Sequence, residues 1–170
     1  MLRFLFRGLT SGPKRGQALF DRVVAQARRP FWYAQARVPD TIDGRFAMLS
    51  TICALVITRL ESGSAKGEAA SAALTERFIE AMDAEHRELG LNDPGLGRKV
   101  RKLVGMLERR VDLWREAAAG RQDWVGAARY SLYRDQDVEE SALQQAARGL
   151  QDFWQHVSRL SENELIKARF

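Results

Sequence analysis

Ile42-Asp43-Gly44-Arg45-Phe46-Ala47-Met48-Leu49-Ser50-Thr51-Ile52-Cys53-Ala54-Leu55-Val56-Ile57-Thr58-Arg59-Leu60 decides the fold. Ile42, Phe46, Leu49, Cys53, Val56 and Leu60 recur at intervals of four, three, four, three and four. That spacing keeps one apolar stripe on an α-helix and does not suit a strand, whose side chains alternate with period two. The residues just before it specify the helix start. Pro39 fixes its own φ and disfavours helix at Val38, while Asp40 or Thr41 can accept hydrogen bonds from the free N–H groups of the first turn. Two choices are unexplained by local physics. Gly44 costs about 1 kcal/mol relative to alanine inside a helix, and Arg45 stands where the positive end of the helix dipole repels cations. Residues that break a local rule without visible compensation are candidates for packing or binding roles.

Outward from this segment almost every periodic stretch is helical. Upstream, Leu19, Val23 and Ala27 with Phe20 and Val24 predict a helix over 15–28, stopped by Pro30; Phe31-Trp32-Tyr33 and a loop to Pro39 follow. Downstream, Glu61 to Gly67 reads as a small, polar, glycine-bearing linker. A helix over 68–89 carries Leu74, Phe78, Met82, His86 and Leu89 on one face; Gly90 suits its C′ position and Asp93-Pro94-Gly95 a turn. Leu96, Val100, Leu103, Leu107, Val111, Trp114 and Ala118 make the next stripe. A short helix over 124–134 and a longer one over 138–160, with Leu143, Ala147, Leu150, Trp154 and Val157, close the pattern, and Ser161 to Glu164 caps a last short turn. The expectation is an all-α, single-domain bundle of about six helices over residues 15–170, preceded by a basic amphipathic tail, residues 1–14.

The 170 residues are 45% hydrophobic, enough for a sizeable core, and the net charge of +5 is moderate. Its distribution is uneven: residues 1–30 hold seven cations against the single Asp21. The opening Met1-Leu2-Arg3-Phe4-Leu5-Phe6-Arg7-Gly8-Leu9 is too short in apolar residues for a secretory signal. Being acid-free and amphipathic, it suits a docking tail, a membrane-surface anchor or an organellar presequence. No run approaches the roughly 20 apolar residues that span a bilayer. A second basic cluster, Arg98, Lys99, Arg101 and Lys102, occupies the first two turns of the helix after Gly97, as a solvated face or a face toward an acidic partner.

No catalytic, cofactor-binding or metal constellation assembles. The lone Cys53 lies in an apolar run and reads as a small buried hydrophobe in a reducing compartment. His86 and His156 lack ligand spacing; with no second Glu-x-x-His motif a di-iron bundle is excluded, and His86 reads as a partly buried helix residue. Gly95-Leu96-Gly97-Arg98-Lys99 matches neither a P-loop nor a dinucleotide fingerprint. Phe31, Trp32 and Tyr33 beside Arg28 and Arg29 fit core packing or stacking on RNA bases.

Three blocks stand out in order: Ala27-Arg28-Arg29-Pro30-Phe31-Trp32-Tyr33, Val38 to Phe46, and Met82 to Asp93. Together they resemble the ubiquinol-cytochrome c chaperone family of mitochondria and alphaproteobacteria, over roughly residues 15–120. His86-Arg87-Glu88 and Gly90-Leu91-Asn92-Asp93 depart from the family's Leu-Arg-Glu and Gly-Val-Gly-Asp. The resemblance implies a non-enzymatic assembly factor for the cytochrome bc1 complex without cofactors. Its implied partners are newly made cytochrome b or another hydrophobic membrane-protein client, the ribosome, a small helper subunit and an anionic membrane surface. The implied location is the bacterial cytoplasm at the inner face of the plasma membrane, or the matrix side of the mitochondrial inner membrane. The alternative is a basic helical module that binds ribosomal RNA or anionic membrane without a specific client. Phe31, Trp32, Tyr33, Asp40, Thr41, Asp43, Gly44 and Arg45 are the candidate partner-binding residues, and Arg98, Lys99, Arg101 and Lys102 the candidate basic face. Within the first set, Asp40 or Thr41 is expected to cap, Gly44 to admit a neighbouring helix, and Arg45 to tie down Asp43 or a carboxylate of the 83–93 segment.

Overall fold

The helix at the centre is α3, Ile42–Glu61, and it is surrounded. Thr51 to Thr58 is apolar or small at every position, so no face of it seeks water, and a helix apolar all round belongs inside a core. Met48, Ile52, Cys53, Ala54, Leu55, Val56 and Leu60 are all fully buried. The single stripe expected from the spacing is therefore too narrow a description. At its upstream end, Ile42 is instead 64% exposed.

The computed structural model describes residues 15–88, 96–134 and 136–170. The tail of residues 1–14, Gly90, the Asp93-Pro94-Gly95 turn, and the side chains of His86 and Lys99 lie outside the described residues. Within them the chain is all-α, built from α1 (Gln17–Ala27), α2 (Pro30–Ala34), α3, α4 (Ala65–Glu88), α5 (Leu96–Ala118), α6 (Trp124–Ala128), a π-helical turn (Arg129–Tyr133), α7 (Glu140–Arg159) and α8 (Glu162–Ile166). No helix among them is long and apolar enough to cross a membrane. α1, α4, α5, α7 and the π-turn all pack on α3. Their buried faces are those of the periodicity, Leu19 and Val23 from α1, Leu74 and Phe78 from α4, Leu103, Leu107 and Trp114 from α5, and Leu143, Leu150 and Val157 from α7.

The count exceeds six because two short helices join the long ones. Pro30 does not merely stop α1; it occupies the first position of α2, where its missing N–H costs nothing and its fixed φ suits the helix. The aromatic block is therefore helical. α8 carries a full capping box, with the Ser161 hydroxyl accepting from Glu164 N–H and the Glu164 carboxylate accepting from Ser161 N–H.

The expected linker is a tight corner. α4 already begins at Ala65, leaving Ser62 to Ser64 outside a helix. Glu162, from α8, seals it: its two carboxylate oxygens accept from Ser64 N–H and the Ser64 hydroxyl, both at 2.7 Å. Arg59 donates to the Leu160 carbonyl at 2.8 Å beside it.

Candidate partner-binding groove

Between α2 and α3 the chain reverses through Ala36 to Thr41. Ala36 and Val38 are buried, Val38 N–H donates to the Trp32 carbonyl at 2.9 Å, and Arg37 between them takes a left-handed conformation at φ 52°. The phenol of Tyr133, from the π-turn, donates to the Ala36 carbonyl. Burial pushes that phenol up to about 12. The loop is thus anchored from the far side of the bundle before it reaches the motif.

Thr41 caps α3, its hydroxyl accepting from Gly44 N–H at 3.1 Å. Asp40 is left to pair with Arg45, whose Nε lies 2.6 Å from the carboxylate, and Asp43 pairs with Arg134 at 3.2 Å. The hydrogen bond from Arg45 holds the exposed Asp40 carboxyl below its ordinary range. Among the described residues the partner of Arg45 is thus Asp40 rather than Asp43, because the loop folds Asp40 back over the first turn; most of the 83–93 segment lies outside the described residues. Nor does Gly44 admit a neighbouring helix. A Cβ there would lie 1.9 Å from the Pro39 carbonyl oxygen, so the glycine makes room for the chain's own loop.

The aromatic block divides by environment. Trp32 is buried, its indole N–H donating to the Gln26 carbonyl at 2.8 Å, and Phe31 meets it edge-on with ring centroids 5.0 Å apart. Both press on α7 at Gly149, where a Cβ would come within 2.6 Å of Phe31 and 3.0 Å of Trp32. Tyr33 is half-buried, with its hydroxyl donating to the Ala27 carbonyl at 2.8 Å. Burial and the Asp40 charge raise its pKa, against the opposing pull of Arg45 and Arg28.

Tyr33 opens onto a groove of about 1050 Å³. α1 contributes Phe20, Asp21, Val24 and Ala27, with Arg28 just past its end; the loop and α3 contribute Asp40, Ile42, Arg45, Phe46 and Leu49, and α4 contributes Ala81 and Met82. All three sequence blocks therefore reach one concavity. Its lining mixes apolar side chains with Asp21, Arg28, Tyr33, Asp40 and Arg45, and Arg45 is held on Asp40. Of the eight candidate residues, Tyr33, Asp40 and Arg45 line it; Thr41 and Gly44 lie at the start of α3 beside it, Asp43 pairs with Arg134, and Phe31 and Trp32 face Gly149 of α7 instead. The lining residues Phe20, Val24, Ile42 and Leu49 are not in the sequence-derived set. Ile42 and Leu49 are legible in the sequence only as members of the α3 stripe, and Phe20 and Val24 as apolar positions beside the Leu19, Val23 and Ala27 face.

Arg98, Arg101 and Lys102 are exposed on α5, and none of them lines the groove. Among the described residues no group of three metal-ligating side chains comes together.

Comparison with known proteins gives two findings. A family model described as ubiquinol-cytochrome C chaperone matches residues 34–170, and so runs through the C-terminal third, where the quoted blocks carried no resemblance. The fold is similar to the crystal structure of the Cbp3 homolog from Brucella abortus, at 28% sequence identity and a TM-score of 0.76, across 99% of this chain and 94% of that one. No curated protein matches.

Proposed function

The chain belongs to the ubiquinol-cytochrome C chaperone family, and from that membership we propose that it holds newly made cytochrome b in the groove beside Tyr33 and Arg45 while the bc1 complex is assembled. Membership itself places the chain among chaperones for this complex, a role without catalysis. The observation that carries the finer reading is the convergence of the three sequence blocks on one open concavity lined by apolar and charged side chains. An unassembled membrane-protein segment presents a long apolar surface, and a groove walled by Phe20, Val24, Phe46, Leu49 and Met82 covers such a surface by the same burial that drives helix-in-groove recognition. Charged groups on the rim, Asp21, Arg28 and the Asp40–Arg45 pair, fix orientation more than they add affinity.

The working location is the cytoplasmic face of a bacterial inner membrane, or the matrix face of the mitochondrial one. The exposed Arg98, Arg101 and Lys102, with Lys99 beside them in sequence, would hold the protein near anionic lipid or ribosomal RNA. A small helper subunit is a further expected partner. That same basic face favours the second reading, a module attracted to ribosome or membrane without a specific client.

Deletion of the gene should leave cytochrome b synthesis intact and lower the assembled complex. A photo-crosslinker at position 42, on the exposed edge of the groove, should capture cytochrome b in growing cells. Normal bc1 levels in the deletion strain would remove the chaperone reading. If captured material is ribosomal RNA or lipid, and binding to both vanishes at high salt, the clientless module is the better account.

A further inference from the structure

Phe46 lines the groove, and on its flank stands the guanidinium of Arg110, 5.9 Å from the ring centroid. Arg110 belongs to α5 and is half-buried against the π-turn. One Nη donates to the Ser131 carbonyl across a long 3.4 Å, and Nε is shut off from solvent with no acceptor. The Ser131 hydroxyl, fully buried, also lacks a partner. Burial and the charges of Arg134 and Arg109 hold the Arg110 guanidinium below the ordinary arginine range. Among the described residues no carboxylate pairs with Arg110; the nearby Asp43 is taken by Arg134. At the edge of this cluster Arg134 sits in a left-handed conformation at φ 51°, and Tyr130 is 54% exposed.

Buried cations are ordinarily paired, and buried donors without acceptors are uncommon enough to require a reason. Here Arg110 feels the charges of Arg134 and Arg109, and among the described residues it has no carboxylate of its own. A second, external chain would relieve that imbalance. We propose that Arg110, flanked by Arg134 and Tyr130, is the docking point for a carboxylate carried by the polypeptide that occupies the groove. The proposal rests on the client reading of that groove and adds the chemistry of its occupant: an apolar segment with an acidic side chain placed beside Phe46. The planar guanidinium fork matches the two oxygens of a carboxylate. An anionic lipid surface fits less well, because Asp21 and Asp40 line the groove with Asp43 beside them, and because Arg110 is half-buried rather than exposed.

The test uses the full chain and two fluorescent peptides, amphipathic leucine-alanine helices identical except for glutamate or glutamine near one end, followed by anisotropy. The glutamate peptide should bind about tenfold more tightly to the unmodified protein. That preference should vanish in Arg110→Gln, fall in Arg134→Gln, persist in part in Arg110→Lys, and be unchanged in Arg98→Gln. Thermal melts identify a variant that fails to fold; if Arg110→Gln does, Arg110→Lys and Arg134→Gln decide. Equal binding of both peptides to the unmodified protein, or a preference that survives Arg110→Gln, overturns the proposal and leaves the groove reading standing. Absence of binding by either peptide overturns both. Loss of binding to anionic phospholipid vesicles in Arg110→Gln, with peptide preference intact, assigns the cation to lipid and overturns it as well.

Discussion

Gly44 and Pro39 meet backbone to backbone: a Cβ on residue 44 would stand 1.9 Å from the Pro39 carbonyl oxygen. This reverses the usual sign of a glycine-to-alanine change in a helix, which favours alanine by about 1 kcal/mol. Gly44→Ala is expected to destabilise the protein by about 2–3 kcal/mol, since a backbone carbonyl must move to admit the methyl. Urea unfolding measures it, and a variant as stable as the parent would contradict the contact.

The two candidate caps separate cleanly. Thr41→Ala removes the acceptor for Gly44 N–H and should lower stability by about 1 kcal/mol. Asp40→Ala breaks only a solvent-exposed pair with Arg45, so its melting temperature should stay near that of the parent. Equal losses in the two variants would mean that Asp40 shares the capping role.

Tyr133 gives a pH signature. Burial raises its pKa from 10.0 to about 12, so folding favours the neutral phenol. The stability this provides is fully present below pH 10 and is lost as the pH rises through about 12. Tyr133→Phe should cost about 1–2 kcal/mol at neutral pH, because the buried Ala36 carbonyl loses its donor. The difference between parent and variant should then shrink between pH 10 and about 12, as followed by urea unfolding at each pH.

Glu162 works at the other end of the scale. Hydrogen bonds from Ser64 lower its pKa, so its contribution is present above the ordinary glutamate range and is lost as the pH falls through the depressed value. Glu162→Gln should weaken hydrogen-exchange protection at Ser64 and in the first turn of α4 at neutral pH, and match the parent in strong acid. Unchanged protection at neutral pH would show that the corner does not depend on the carboxylate.

Ile42 tests the groove without disturbing the core. Its side chain is largely in water, so Ile42→Asp should change stability by less than about 0.5 kcal/mol. It should nevertheless lower the amount of assembled bc1 complex in a complementation strain, with the chaperone itself at normal abundance. Full assembly with this variant would move the client surface elsewhere.

Periodicity carried the long helices because each must bury a face, and Leu103, Leu107 and Trp114 or Leu143, Leu150 and Val157 can only be aligned helically. It could not show that α3 is enclosed, since an all-round apolar segment and a broad stripe look alike until neighbours are counted. The Asp40–Arg45 pair is hidden in the sequence for a related reason. Asp40 lies five residues away, outside the spacing that pairs side chains along a helix, and reaches Arg45 only through the reversal at Arg37 to Pro39. Pro30 admits two readings, stop or first residue, and the one that holds depends on whether Phe31 and Trp32 have an α7 with Gly149 to press against. Arg110 had no local signature; apart from Arg109, its neighbours Phe46, Tyr130, Ser131 and Arg134 are all 20 or more residues away in sequence.

The clamp of Glu162 on Ser64 joins positions 98 residues apart, and Tyr133 pins the Ala36 loop from a similar distance. On the ribosome this fixes an order of events. The segments that wall the groove emerge first, yet the loop at its rim gains its anchor only after the π-turn has left the exit tunnel, and α4 gains its sealing carboxylate later still. A nascent chaperone therefore passes through a stage with the apolar wall made and its frame unfinished, and it matures into a receptive shape only once Glu162 has been added and can reach Ser64.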